Sequence, residues 1–418
     1  MNKYINIPNE KINESIKLYS TPLQLYDECG IIDNLNKVMN EFNKKFKFSH
    51  FFAVKALPNP NILRILIDNG SGLDCSSLSE LKIAKSLNID ANKIIFTSNY
   101  TSIDDLRFAI DMGVIINLDD YSLISTLYSI NKCFPKKIFF RLNPGIGFTS
   151  SESKSNVLGG PDAKFGISPN NIVKCYQLSK DLGCEEFGIH MMTGSCVMNN
   201  NYWIESINIL INNIKKIEKE VKIKIKFINI GGGIGIPYKP EEKEIDIQLL
   251  VNTIYDTLKK NDFTIPELYM ENGRYITGPH GYLVSKCNCV KESFNQIYYG
   301  LDACMSNLMR PGMYNSYHHI SILNRNNDKN KKICNVVGTL CENNDWFAKN
   351  RLLTICDIND IFIIHDTGAH SHSMGFQYNG KLRAPEVLFT KNNELKLIRR
   401  REKFEDYIGT INMNHDVF

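Results

Sequence analysis

Phe51-Phe52-Ala53-Val54-Lys55 is a short apolar run that ends on a lysine. Seven further strand-like runs follow along the chain, at 72–76, 94–97, 115–118, 137–144, 187–192, 227–230 and 268–271. Short apolar runs bounded by helical stretches predict buried strands. Nearly all the candidate catalytic and binding residues lie at the C-terminal ends of these runs. A lysine at such a position is a candidate for forming a Schiff base.

Helical stretches with start and stop signals separate most of these runs. Ser77 with Glu80, and Ser102 with Asp105, match the pattern in which a hydroxyl and a later acid satisfy the first free amides of a helix. Gly113 lies just past a predicted helix end. The alternation predicts a parallel (β/α)₈ barrel, with a doubly wound open sheet as the alternative. The barrel is favoured because functional-looking residues follow many of the strands.

The pattern changes near position 280 to short alternating runs at 282–290, 296–301, 333–340 and 360–365. This pattern predicts a mostly antiparallel β domain. We therefore expect two domains in the 418 residues. The first is a cofactor-binding barrel at 30–280, and the second is a C-terminal β domain at 281–418, to which residues 1–29 contribute.

Composition narrows the choice of partners and compartment. The formal net charge is only +4 and no basic stretch is interleaved with aromatic residues, so nucleic acid is not an expected ligand. No apolar run approaches the roughly 18 residues that cross a bilayer, so no membrane association is expected. The N-terminal segment resembles no targeting signal, which makes the cytoplasm the expected location. The twelve cysteines show no metal-binding or disulfide pattern.

Two motifs near the last strands indicate a cofactor. Gly231-Gly232-Gly233-Ile234-Gly235 follows the seventh run, where glycine lets backbone amides approach a phosphate, although a tight turn would also explain it. Glu271 and Arg274 follow the eighth run, and alone they would suggest a structural ion pair. Together with Lys55 these motifs fit pyridoxal phosphate, which needs a lysine for its aldehyde, amides for its phosphate and a carboxylate for its ring nitrogen.

Ordered motifs along nearly the whole chain carry a resemblance to a known family: Phe52-Ala53-Val54-Lys55-Ala56, Arg141-Leu142-Asn143-Pro144-Gly145, Lys164-Phe165-Gly166, Gly231-Gly232-Gly233, Glu271-Asn272-Gly273-Arg274, Arg310-Pro311 with Tyr314, Cys341-Glu342 and Tyr378-Asn379. They resemble the signatures of the alanine-racemase-like (fold type III) pyridoxal phosphate decarboxylases. Within that group, the diaminopimelate decarboxylases are the most similar. The resemblance implies pyridoxal 5'-phosphate as cofactor.

The resemblance also implies roles for the matching residues. Lys55 would hold the cofactor and act in catalysis, and Glu271 would contact the pyridine nitrogen. The phosphate would be bound by the glycine loop together with Ser195, Arg274 and Tyr378. The distal carboxylate of the substrate would be held by Arg274, Arg310 and Tyr314, and Tyr378 would also contribute to substrate binding. Paired guanidinium groups suit a planar carboxylate and reject an amine-ended chain.

Cys341-Glu342 resembles a pair that such enzymes lend across a dimer interface. The cysteine would donate a proton near the substrate's α-carbon, and the glutamate would face its distal ammonium group. The resemblance therefore implies a homodimer with active sites at the interface. Without it, Cys341 would be read as one more buried thiol.

The chain departs from the family pattern at several positions. Met192 stands where a histidine commonly stacks on the cofactor ring, and a thioether carries no proton or charge. His190 shares the strand parity of Met192, so it either contacts the ring or is a hydrogen-bonded core histidine. Asn272 replaces a proline and His370 replaces a tyrosine. His370 and His372 lack acidic or cysteine partners in the sequence, so no metal is expected.

The activity that the resemblance implies is decarboxylation of meso-2,6-diaminopimelate to L-lysine. Another decarboxylase of this fold, acting on ornithine, arginine or carboxynorspermidine, stays open, although Arg310 argues against it. A racemase of the related fold is also open, although the Cys341-Glu342 pair favours decarboxylation. A non-catalytic relative that binds a partner protein is the third alternative, against which the presence of Lys55 and Cys341 argues.

Overall fold

The protein is described by a computed structural model that covers residues 3–147, 158–263, 267–325 and 330–412. Contacts within the chain divide it into two compact units. One comprises Ile31–Pro237 and Lys243–Thr277, and the other comprises Met1–Gly30, Tyr238–Glu242 and Gly278–Phe418. Residues 1–2, 326–329 and 413–418 of the predicted β domain lie outside the described ranges. No sequence pattern indicates that the short segment Tyr238–Glu242 belongs with the second unit.

The first unit is a closed barrel of eight strands, and the predicted (β/α)₈ barrel is confirmed. The strands, called the first to the eighth barrel strand below, are Phe48–Ala53, Gly72–Cys75, Ile94–Thr97, Ile115–Leu118, Lys137–Leu142, Glu186–Met191, Ile225–Asn229 and Glu267–Met270. Each pairs in parallel with the next, and the eighth pairs with the first. Closure leaves no strand edge unpaired.

Helices alternate with the barrel strands: Glu28–Asn43, Pro60–Asp68, Leu78–Ser86, Ile103–Met112, Ser122–Asn131, Pro169–Asp181, Asn200–Val221, Ile247–Lys260 and Arg274–Thr277. Ser77 and Ser102 cap two of them as predicted, since each hydroxyl accepts a bond from the backbone N–H three residues later. The carboxylate of Glu80 differs from the prediction, because it accepts from the N–H and hydroxyl of Ser76 instead of closing a box on Ser77. Among the described residues, no helix combines the length and the apolar character needed to cross a membrane.

An aromatic and aliphatic layer fills the middle of the barrel. Its buried members are Phe51, Ile95, Ile115, Phe139, Phe227 and Tyr269. The rings of Phe139 and Tyr269 stack with centroids 5.6 Å apart. Gly188 is required beside this layer, because a side-chain carbon there would lie 2.3 Å from the Phe139 ring. Along a strand, side chains two positions apart point to the same side of the sheet. The residue two positions after each member of this layer therefore also points into the barrel, one level closer to its C-terminal end.

The second unit is a mostly antiparallel sheet structure, which confirms the predicted fold class. Its strands are Leu23–Asp27, Gly281–Ser293, Gln296–Leu301, Ile320–Ile322, Lys331–Val337, Trp346–Thr354, Ile361–Ile364, Glu386–Phe389 and Leu395–Arg399, and its helices are Asn9–Tyr19, Arg310–Tyr314 and Phe404–Ile408. The N-terminal strand Leu23–Asp27 pairs antiparallel with Gly281–Ser293 and parallel with Glu386–Phe389. The N-terminal segment is therefore built into this sheet.

Candidate active site

A layer of polar side chains lies directly above the aromatic layer of the barrel. This polar layer is formed by four residues, one from each of the fifth to eighth strands or the position just past it: Arg141, His190, Asn229 and Glu271. Each stands two residues after a position at the level of the aromatic layer. Arg141 pairs in register with His190, and His190 with Asn229. All four are at least nine-tenths buried. Buried polar groups of this kind need partners. Asn229 and His190 contact Glu271, whereas Arg141 lies near Asp119.

Glu271 is the centre of this layer. Asn229 Nδ2 donates to Glu271 Oε1 at 2.5 Å, and His190 Nε2 lies 3.3 Å from Glu271 Oε2. Burial alone would raise the pKa of Glu271, but His190, the Lys55 ammonium group and the Asn229 amide together lower it to about 2. Glu271 therefore stays ionised at neutral pH and is a strong hydrogen-bond acceptor.

Asn229 links this carboxylate to the glycine loop. While its Nδ2 donates to Glu271, its Oδ1 accepts a bond of 2.9 Å from the Gly231 N–H. One fully buried side chain thus sets the position of both elements. Sequence reasoning missed Asn229, and the available signal was a single polar residue inside the apolar run 227–230, two positions before Gly231.

The glycine loop needs glycine for two physical reasons. Gly231 and Gly233 have φ values of +68° and +100°, which side chains other than glycine rarely adopt. At Gly232, a Cβ atom would lie 2.3 Å from the carbonyl oxygen of Glu271. The loop therefore lies close against the end of the eighth strand and presents backbone instead of side chains.

Lys55 lies just past the first barrel strand, in the short 3₁₀ turn Val54–Ala56, and its side chain is exposed. Asp74 is the penultimate residue of the neighbouring second strand and is buried, with Oδ1 lacking a hydrogen-bond partner among the described residues. Burial and the Glu271 charge raise the pKa of Asp74 well above its usual value, although Lys55 opposes this. Sequence reasoning did not single out Asp74, because an aspartate at a strand end is common.

A second polar group explains two of the sequence motifs. The Arg141 guanidinium lies 4.6 Å from the ring centroid of Phe165, and Arg141 Nε lies 4.0 Å from Asp119 Oδ1. Asp119 Oδ1 also accepts a bond of 2.9 Å from the Gly166 N–H. The Lys164-Phe165-Gly166 segment is thus held against the end of the fifth strand.

The remaining predicted barrel residues lie in the segments that follow the sixth and eighth strands. Ser195 is half-buried, and Arg274 is buried at the start of the helix Arg274–Thr277. Met192, which directly follows the sixth strand, places its sulfur 3.2 Å from the Gly232 amide nitrogen. Its contact is therefore with the glycine loop.

In the second unit, the predicted residues form two groups. Arg310 begins the short helix Arg310–Tyr314, is buried, and donates to Ser316 Oγ at 3.3 Å. Cys341, which is exposed, donates its backbone N–H to Asn379 Oδ1 at 2.7 Å and so lies beside the segment that carries Tyr378. Glu342 and Tyr378 are close to this contact in sequence, and Tyr378 is 43% exposed.

Comparisons with known proteins assign this architecture to a family. Residues 31–278 match the family model described as "Pyridoxal-dependent decarboxylase, pyridoxal binding domain". The chain is 38% identical to Protein TabA of Pseudomonas amygdali pv. tabaci, over 96% of this chain and 93% of that protein. It is 34% identical to the diaminopimelate decarboxylase of Methanothermobacter thermautotrophicus, over 93% and 91%.

A solved structure is similar over the same extent. The diaminopimelate decarboxylase of M. jannaschii, crystallised in complex with L-lysine, superimposes with a TM-score of 0.89 at 29% identity. The match covers 97% of this chain and 95% of that one. The similarity therefore includes the barrel and the sheet unit.

Proposed function

Since the chain belongs to the pyridoxal-dependent decarboxylases, we propose that it converts meso-2,6-diaminopimelate into L-lysine and carbon dioxide, the last step of lysine biosynthesis. Its cofactor is pyridoxal 5'-phosphate. The observation that carries the proposal is the buried, ionised Glu271 carboxylate, held by Asn229 and His190 beside a side-chain-free glycine loop. Relatives named diaminopimelate decarboxylase, and the L-lysine bound to one of them, support the choice of substrate.

The residues of the barrel fit this cofactor. A phosphate group needs a loop whose amides it can approach, and at Gly232 a side chain would collide with backbone. A pyridine nitrogen that keeps its proton needs an anion, and the low pKa of Glu271 provides one. Lys55, past the first strand, is exposed enough for its amine to reach an aldehyde. When bound, pyridoxal 5'-phosphate supplies an electron-withdrawing ring that stabilises negative charge at the carbon that loses carbon dioxide.

The chain's own groups then have distinct tasks. Lys55 would hold the cofactor, the glycine loop with Ser195, Arg274 and Tyr378 would bind its phosphate, and Glu271 would keep a proton on the ring nitrogen. His190 would keep Glu271 oriented, because its Nε2 lies beside the carboxylate. Cys341 would give a proton from Sγ to the carbon that has lost its carboxylate.

Substrate selection would rest on cationic groups. Arg310 is buried, so its guanidinium would bind a carboxylate with less competition from water. Arg274 and Tyr314 would contribute to the same distal carboxylate, Tyr378 would also contact the substrate, and Glu342 would pair with the distal ammonium group. A substrate that ends in an ammonium group would bring a like charge toward the Arg310 guanidinium.

We propose that the active enzyme is a homodimer in which Cys341 and Glu342 serve the partner's site. The exposure of Cys341 supports this arrangement. Lys55→Ala and Cys341→Ala should each be inactive alone. If their subunits reassort, about a quarter of the sites regain both groups, because half of the dimers are mixed and each has one intact site. A mixture that stays inactive would exclude shared sites.

We also infer a cytoplasmic location. All twelve cysteines are free thiols, which suits a reducing compartment. Fractionation of cells that express the full chain tests this inference, and recovery in an extracellular or membrane fraction would contradict it.

The activity is tested by incubating the purified protein and pyridoxal 5'-phosphate with meso-diaminopimelate, ornithine, arginine or lysine, and measuring released carbon dioxide. We expect release from meso-diaminopimelate, with L-lysine as product. Lys55→Ala should lose both turnover and the absorbance of the bound cofactor, whereas Lys82→Ala, which changes an exposed lysine on the helix Leu78–Ser86, should retain both. Preferred decarboxylation of ornithine, arginine or lysine would refute the substrate assignment.

A further inference from the structure

The Met192 side chain lies along Gly231, Gly232 and Gly233. Its sulfur accepts a hydrogen bond from the Gly232 N–H, with 3.2 Å between sulfur and nitrogen. A Cβ atom on Gly231 would lie 2.8 Å from this sulfur, and one on Gly233 would lie 3.8 Å from the Met192 methyl carbon. The thioether thus covers the loop whose amides are assigned to phosphate.

Two other amides of the loop, those of Gly231 and Gly235, have stronger acceptors than the Gly232 amide. The Gly231 N–H donates to Asn229 Oδ1 at 2.9 Å, and the Gly235 N–H donates to the Val197 carbonyl oxygen at 2.9 Å. Both acceptors are strong neutral oxygens. A thioether sulfur is a weak acceptor, so the Gly232 amide has the partner that is most easily replaced.

Methionine is suited to give way. It has three rotatable side-chain bonds and adapts to irregular spaces. A phosphate oxygen carries charge, and hydrogen bonds to charged acceptors are roughly twice as strong as those between neutral groups. A phosphate group that approached the Gly232 amide would meet the Met192 sulfur first and would be able to displace it.

We propose that Met192 is a displaceable occupant of the phosphate-binding loop, in direct competition with the cofactor phosphate for the Gly232 N–H. The inference rests on the proposed function, because it concerns the same cofactor site. It gives Met192 a role different from packing against the cofactor ring. The competition weakens the contribution of the phosphate group to cofactor affinity, and it leaves the contribution of the pyridine ring unchanged.

The two roles predict different results for a ratio of affinities: competition for phosphate predicts that the ratio rises when Met192 is replaced, whereas packing on the ring, which both ligands share, predicts no change. Dissociation constants for pyridoxal 5'-phosphate and pyridoxal would be measured by absorbance on cofactor-free full-length protein, for the wild type, Met192→Ala and Met192→Leu. If the sulfur competes with phosphate, both variants bind pyridoxal 5'-phosphate about threefold to tenfold better relative to pyridoxal, as expected for removing one weak competing bond. A ratio that is unchanged or lower in both variants would overturn the proposal.

Inorganic phosphate gives a direct probe that does not depend on the variants' cofactor chemistry. In wild-type protein labelled with ¹³C at methionine methyl groups, the Met192 signal is identified by its absence from Met192→Leu. Adding inorganic phosphate should shift this signal, with a saturation curve that matches phosphate binding. A Met192 signal that stays in place at saturating phosphate would rule out displacement. L-lysine formation by the wild type is measured separately, and it reports on the proposed function whichever way the affinity ratio moves.

Discussion

Replacing Asn229 with alanine should destabilise the barrel far more than the same replacement at Asn117. Both asparagines are buried and both lie at the C-terminal ends of barrel strands. Asn229 makes one bond to an ionised carboxylate, Glu271, and one to the Gly231 amide. Asn117 donates one bond, of 3.1 Å, to the neutral hydroxyl of Thr97. The pair therefore isolates what the Glu271 and glycine-loop contacts contribute.

The size of the stability loss follows from the hydrogen-bond partners that each asparagine leaves without a bond. Loss of a bond to a charged group is worth about 2 kcal/mol, and a buried N–H left unsatisfied adds about 2 kcal/mol, so Asn229→Ala should lose about 4 kcal/mol. Asn117→Ala loses one neutral bond, worth about 1 kcal/mol. Both variants remove the same side-chain atoms, so the cavity terms largely cancel. The expected difference is about 3 kcal/mol.

Urea unfolding of the cofactor-free protein measures this difference. A Trp346→Phe background leaves Trp203 as the remaining tryptophan. Trp203 is buried in the barrel helix Asn200–Val221, so its fluorescence reports on the barrel. Equal losses of unfolding free energy in the two variants would refute the reasoning, because the bonds to Glu271 and Gly231 would then add nothing. Asn229→Ala should also weaken cofactor binding, measured by absorbance, whereas Asn117→Ala should change it little.

Three further outcomes follow from the same contacts. Glu271→Gln should lower kcat about a hundredfold in a carbon dioxide release assay, because a neutral amide cannot keep a proton on the ring nitrogen; an unchanged kcat would contradict the role of the carboxylate. Gly232→Ala should abolish cofactor binding, since its Cβ would lie 2.3 Å from backbone, whereas Gly113→Ala, in open space at φ +68°, should retain binding and lose only about 1 kcal/mol of stability. Burial raises the pKa of Asp366 to about 6, so the folded protein holds this proton more tightly than the unfolded chain. The unfolding free energy should therefore fall by about 2 kcal/mol as pH rises from 4 to 7. Asp366→Asn, which suits the φ of +61° there, should remove that fall in thermal unfolding measurements, and an unaltered pH profile would assign the dependence to other groups.

Several features of the site could be predicted from the sequence because their signals are local. Lys55 and Glu271 each come directly after a short apolar run, and the structure places them just past the first and eighth barrel strands. The glycine run at 231–233 marks a loop that needs positive φ values, and two of its residues have them. Such signals depend on neighbours in sequence, which a single chain displays.

Other features had no local signal. Asn229 and Asp74 are common residue types at strand ends, and their contacts come from other strands. Asn229 meets Glu271 from 42 residues away, and the Met192 sulfur meets Gly232 from 40 residues away. Neither separation is visible as a pattern, because it depends on the register between neighbouring strands.

The sequence by itself determined a barrel of eight strands with its functional residues at one end. Hydrophobic periodicity and helix signals select the strands and helices. The C-terminal ends of parallel strands then lie on the same face of the barrel. Only the tertiary structure decided which side chains share a hydrogen bond there. Asn229 bridges Glu271 and the glycine loop, and Met192 covers that loop, because the sixth strand pairs in parallel with the seventh and the seventh with the eighth, which brings their ends together. Side-chain rotamers and hydrogen-bond partners depend on how these strands pack together, whereas the alternation of side chains along a single strand does not.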